Sequence, residues 1–160
     1  MSAASAPAAI SLALIGFGEA AQAFVKGMGE KAATGARGHD LKSLSDNPAI
    51  RAGKAADFAH FNVTSLPSNV EAVSGATVVF CLVTADQALA AARAAAAAIR
   101  PGAFYFDGNS VSPQTKRAAA EAIEGAGGRY VDTAIMSPVH PALTAAPLLL
   151  SGPHAQTGAD

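Results

Sequence analysis

Gly16, Gly18 and Ala21, in the stretch LALIGFGEAAQAF, have the residue types and spacing G-x-G-x-x-A. That pattern fits one piece of chemistry, the seating of a pyrophosphate on bare main chain. The first glycine lets the chain leave a strand sharply. The second lacks a Cβ, so an anion can approach the backbone, and the small third residue lets the following helix pack on the strand. Free N–H groups at the start of that helix, helped by its dipole, then face the negative charge. Phe17, Glu19 and Ala20 complete the loop that would face such a cofactor. Glycine pairs also serve plain tight turns, and the motif alone admits both readings. Its context favours the anion, because it follows a short apolar run and opens a helical pattern. The charge of Glu19 suits a helix start, and its side chain is expected to point to solvent.

The same chemistry asks for an acidic residue about twenty positions on, where a carboxylate accepts hydrogen bonds from ribose hydroxyls. Asp40 stands there, and Lys42 follows it closely. The carboxylate favours NAD by repelling a 2′-phosphate, whereas the lysine could neutralise one, so NAD and NADP both stay open, with a lean to NAD. An exposed Asp and Lys in an ordinary turn is the bland alternative.

These residues need elements to hold them. The run over residues 11–15 predicts a buried strand and residues 19–28 a helix. Residues 38–41 predict a second strand. Residues 48–60 predict a helix capped by Asp46 or Asn47, with Pro48 in its first turn. A weak strand over 62–64 and a short helix over 67–73 follow. TVVFCLV, 77–83, is apolar throughout and predicts a strand covered on both faces. Thr84 with Gln87 has the capping-box spacing and is expected to open an alanine-rich helix reaching Pro101. AFYFD predicts a fifth strand, Ser112–Pro113 a helix start, RYVDTAI a sixth strand and PLLLS a seventh. This alternation implies an α/β fold of three layers, a doubly wound, mostly parallel Rossmann-type sheet with right-handed crossovers. The domain is expected over 11–152, with a loose tail over 1–10 and another over 153–160.

At DGNSVSPQTK, residues 107–116, the sequence resembles the superfamily of 6-phosphogluconate and β-hydroxyacid dehydrogenases. Gly16, Gly18 and Ala21 match its first motif. Asp107, Ser110 and Pro113 match its Asp-x-x-Ser-x-x-Pro-like segment, and the GNS of Gly108–Ser110 is similar to that of the phosphogluconate enzymes. The resemblance implies hydride transfer between a nicotinamide dinucleotide and a small-molecule substrate. It would place Asn109 between nicotinamide and substrate as the catalytic residue, and Val83 and Thr84 under the nicotinamide ribose. The wording of VTADQAL and SPVHPA also resembles a phosphogluconate-dehydrogenase-like branch of NAD(P)-dependent oxidoreductases.

Two departures are visible. The third family motif reads Asp-Ala-Pro-Val-Ser-Gly-Gly, but here Met136 stands in place of the serine and Pro138 in place of a glycine. Ser137 and His140 are the nearest polar candidates for holding a substrate, although His140 between Val139 and Pro141 can equally be a loop residue. The resemblance also implies a helical C-terminal domain that carries a catalytic lysine and the dimer contact. None of Lys26, Lys31, Lys42, Lys54 and Lys116 matches that lysine, so this chain is expected to bind cofactor and to turn over little substrate by itself.

The composition closes off other classes. The chain of 160 residues carries a net charge of −1 and only 6% aromatics, which gives nucleic-acid binding no support. No apolar run is long enough to span a bilayer. A single cysteine, Cys81, excludes an internal disulfide, fits a cytoplasmic location and reads as a core residue. The four histidines lack metal-ligand spacing, and no hydrolase elbow or Walker loop is present. A free-standing NAD(P) sensor or scaffold is the alternative function, and a Rossmann-like methyltransferase a weaker one.

Overall fold

A computed structural model of the chain describes residues 10–160. The loose segment expected over 1–10 lies, apart from Ile10, outside the described residues. Seven strands form one sheet in the order β3-β2-β1-β4-β5-β6-β7. They are β1 (Leu12–Ile15), β2 (Arg37–His39), β3 (Thr64–Ser65), β4 (Val78–Cys81), β5 (Phe104–Asp107), β6 (Arg129–Ile135) and β7 (Leu148–Ser151). All neighbours run parallel except β6 and β7. Strand order reverses between β1 and β4, and two loops diverge there to leave a crevice at the carboxyl ends of the strands. Leu12, Ala13, Leu14 and Ile15 are all buried, as befits a central strand covered on both faces.

Helices α1 (Glu19–Ala33) and α2 (Pro48–His60) cover one face, on a core that includes Leu14, Phe17, Val25 and Phe58. The other face carries α3 (Asn69–Val73), α4 (Ala88–Ala96) and α5 (Pro113–Gly125), packed on Ile15, Val79, Cys81, Tyr105 and Tyr130. Local chemistry sets two of the starts. Asn47 accepts from the Ala49 amide ahead of Pro48, and Ser112 accepts from the Thr115 amide ahead of Pro113.

Several expectations shift. The α1 helix runs on past Met28 through a kink at Gly29, whose φ of 76° is open to glycine. The third strand falls at 64–65, because it pairs with Arg37 and Gly38. Thr84 does not cap α4. Its carbonyl accepts from the Gln87 amide in a preliminary turn, and the helix opens only at Ala88 without a side-chain cap. The helix also ends at Ala96, short of Pro101. The segment expected as a tail forms α7 (Ala155–Ala159), and Gly158 sits close against Phe106 and Val131. Between β6 and β7 the chain makes the short α6 (Val139–Ala142) and a 3₁₀ turn at Leu143–Ala145.

Phe58 is 2% exposed and stacks on Phe17 at 4.4 Å between ring centres. Phe58→Ala is expected to cost about 3–5 kcal/mol, read as a lower urea midpoint with an unchanged slope.

Candidate functional site

The two glycines of the opening motif do different work. Gly16 has φ +81°, and a Cβ there would fall 2.2 Å from the Leu82 carbonyl oxygen. It therefore serves the close passage of β1 beside the end of β4, a passage fixed by Gly16 donating to the His39 carbonyl (2.9 Å) and Leu82 donating to Ile15 (2.8 Å). Gly18 is extended, and nothing lies within 4 Å of where its Cβ would be. It caps α1 without a side-chain acceptor, so the first-turn amides that a helix leaves without intrahelical partners are not taken up by the cap residue. Ala21 is fully buried, Ala20 is half-buried, and Glu19 points to solvent as expected.

Phe17, between the glycines, is clamped. Its ring is fully buried between Phe58 and the edge of Phe61. Its amide donates to Asp40 Oδ2 at 2.8 Å. Its carbonyl accepts from Lys54 Nζ at 2.7 Å and from Gln22 Nε2 at 3.0 Å. Asp40 follows β2, and its other oxygen accepts from the Lys42 amide at 2.9 Å. Lys54 is 7% exposed, 2.9 Å from Asp57 Oδ2 and 3.9 Å from Asp40 Oδ2. Sequence reasoning missed Lys54. The available signal was its position one helical turn before Phe58, on the inward stripe of α2. His39 is buried, and its Nδ1 donates to the Leu66 carbonyl at 2.9 Å.

A cleft of about 580 Å³ opens beside this loop. Gly16, Asp40 and Lys42 line one wall, Val83 and Thr84 another, and Ala90, Ala91 and Ala94 of α4 leave it wide. Asn69 Oδ1 in that wall is buried with no partner. The bare glycine floor, the uncapped start of α1 and this unsatisfied acceptor fit a ligand with phosphate at one end and hydrogen-bond donors at the other.

A second polar group gathers where β4, β5 and β6 end. Register places Cys81, Asp107 and Asp132 side by side. Asp107 is 1% exposed and accepts from the Asn109 amide (3.0 Å), Asn109 Nδ2 (2.7 Å) and the Tyr130 hydroxyl (2.7 Å). Lys116 Nζ reaches Asp132 Oδ1 at 2.8 Å, the Asp107 carbonyl at 2.8 Å and Asp107 Oδ1 at 3.3 Å. Asn109 Oδ1 accepts from the Val83 amide at 2.7 Å, which ties the β5 loop to the β4 loop. Burial first, then the hydrogen bond to Asp107, pushes the Tyr130 hydroxyl up. Asn109, Lys116 and Asp132 border a cavity of about 520 Å³ that runs along α5 toward Ser151.

The structure brings Gly16, Asp40, Lys42, Val83 and Thr84 around one cleft and sets Asn109 against its edge. Ser137 and His140 line neither cavity. The Ser137 hydroxyl bonds the Pro138 carbonyl, His140 is exposed, and their segment leans on α1, where Gly27 lies against Thr144. Among the described residues no cluster of His, Cys, Asp and Glu could hold a metal ion, and no helix is long and apolar enough to cross a membrane.

The glycine assignment predicts opposite effects in the absence of ligand. Gly16→Ala should lower stability by more than about 2 kcal/mol, whereas Gly18→Ala should leave the melting temperature unchanged. Cys81 is fully buried, and burial pushes its thiol up to about 11. The thiol should thus resist a thiol-specific reagent at pH 8 until the chain is denatured. Because its ordinary value is 9.0, the stability this thiol contributes is full below about pH 9 and is lost as pH rises through about 11.

A family model described as the NAD binding domain of 6-phosphogluconate dehydrogenase matches residues 11–158. No curated protein matches the chain. Among solved structures, a conserved hypothetical protein from Sinorhizobium meliloti 1021 is 34% identical, with a TM-score of 0.86 over 96% of this chain and 50% of that one. The conserved protein MTH1747, described as structurally similar to 3-hydroxyacid dehydrogenases, is 28% identical with a TM-score of 0.73, covering 92% of this chain and 52% of that one. A Mycobacterium tuberculosis 3-hydroxyisobutyrate dehydrogenase solved with L-serine, 22% identical and with a TM-score of 0.73, shares the fold over 92% of this chain and 48% of its own. The chain thus spans about half the length of the solved structures it matches.

Proposed function

The chain belongs to the family of the NAD-binding domain of 6-phosphogluconate dehydrogenase, and on that premise we propose how it works within an oxidoreductase. It holds NAD or NADP across the crevice between β1 and β4. Gly16, Phe17, Gly18, Glu19, Ala20 and Ala21 form the pyrophosphate floor, Asp40 and Lys42 meet the adenosine ribose, and Val83 and Thr84 pass under the nicotinamide ribose. The bound dinucleotide supplies the hydride chemistry. Asn109, braced between Asp107 and the Val83 amide, holds the loop at the nicotinamide end in place, and the substrate is a small hydroxy acid or a related compound; Ser137 and His140, which line neither cavity, are given no part in holding it. The observation that carries the reading is the open floor at Gly18, set at the start of α1 beside a cleft edged by a carboxylate.

Proton transfer is assigned to neither of the two interior lysines. Lys116 has three acceptors around its ammonium, and Lys54 is held by Phe17 and Asp57. Neither is a free base of the kind alcohol oxidation needs.

Titration with NADH and with NADPH, followed by coenzyme fluorescence and melting temperature, tests the reading. Binding should stabilise the chain by about 2.7 kcal/mol at a hundredfold excess over Kd. Gly18→Val should abolish the ligand-induced shift and leave the ligand-free melting temperature in place. An undiminished shift in that variant, or no saturable binding of either coenzyme to the wild type, would overturn the proposal.

A further inference from the structure

Lys54 is a buried cation whose structural duty is already shared. Burying an ammonium is costly unless it is paired. It donates to the Phe17 carbonyl, yet Gln22 donates to that carbonyl as well. What Gln22 cannot supply is charge. Lys54 sits behind Asp40, 3.9 Å from its Oδ2, on the side away from the cleft that Asp40 lines. Its other carboxylate partner, Asp57, is on its own helix, at 2.9 Å. Asp40 is meanwhile turned back onto the Phe17 and Lys42 amides, with an oxygen committed to each.

We propose that Lys54 is a specificity-determining positioning residue that compensates Asp40 from inside the fold and thereby keeps the adenosine end of the crevice open to 2′-phosphorylated as well as 2′-hydroxyl dinucleotides. The inference rests on the dinucleotide reading above. A bare carboxylate at the end of β2 repels a 2′-phosphate. A buried ammonium next to that carboxylate cancels much of the repulsion, because charges shielded from water and salt act with little screening. Lys42, exposed on the solvent side of Asp40, adds a second positive charge that salt screens more easily.

The test measures Kd for NADH and for NADPH with the wild type and with Lys54→Met, Lys54→Arg and Asp57→Asn. Lys54→Met should weaken NADPH at least about tenfold more than NADH. Lys54→Arg keeps the charge and should hold the ratio of the two constants within about twofold of wild type. Asp57→Asn removes a carboxylate from the same cluster without touching the Phe17 clamp, and should move the ratio toward NADPH. A purely structural role for Lys54 would weaken both coenzymes equally. A folded Lys54→Met with an unmoved ratio overturns the assignment. If that variant does not fold, an unmoved ratio in Asp57→Asn does so. Wild-type protein that binds neither coenzyme removes the parent reading as well, whereas wild-type binding with unmoved ratios removes only the role of Lys54.

Discussion

The peptide group of Phe17 is the point on which the rest of the site depends. Its N–H is held by the carboxylate after β2 and its carbonyl by the ammonium on α2, while its ring locks into the core against Phe58 of α2 and Phe61 just beyond that helix. A loop containing two glycines would otherwise have wide conformational freedom. Clamping the single residue between them removes that freedom and leaves the start of α1 uncapped by any side chain, with open space around Gly18. Order in the loop and vacancy beside it thus come from one set of contacts.

A second constraint acts at the other half of the crevice. Asp107 is a carboxylate taken out of water and surrounded by donors from β6, α5 and its own loop. A buried charge of this kind is tolerated only when it is fully hydrogen-bonded. It therefore fixes what surrounds it. Asn109 is turned inward and ties the loop after β5 to the amide of Val83 after β4. The two loops that border the crevice on this side are consequently braced against each other rather than separately mobile, and the order of the strands puts them beside the glycine floor.

Apolar patterning was sufficient to place most elements. β1, β4 and β5 are mostly apolar runs with no exposed residue, and proline after asparagine or serine marked the starts of α2 and α5 through purely local hydrogen bonds. Edges moved where pairing decided them. β3 sits at 64–65 because β2 offers its partners there. Thr84 and Gln87 have the spacing of a capping box, but that spacing cannot reveal that a turn stands between the strand and its helix.

By itself the sequence determined the alternation of strands and helices, the glycine motif and the acidic residue about twenty positions after it, since each depends on neighbours close along the chain. Only the tertiary structure decided the division of labour between Gly16 and Gly18, because the oxygen that forbids a side chain at Gly16 belongs to Leu82, just past the end of β4. It alone showed His39 turned inward, Lys54 buried beneath the loop, and the segment carrying Ser137 and His140 lying against α1 rather than beside the cleft. Close approaches, buried charges and the direction of a long loop arise from contacts between residues far apart in the chain, and no local spacing records them.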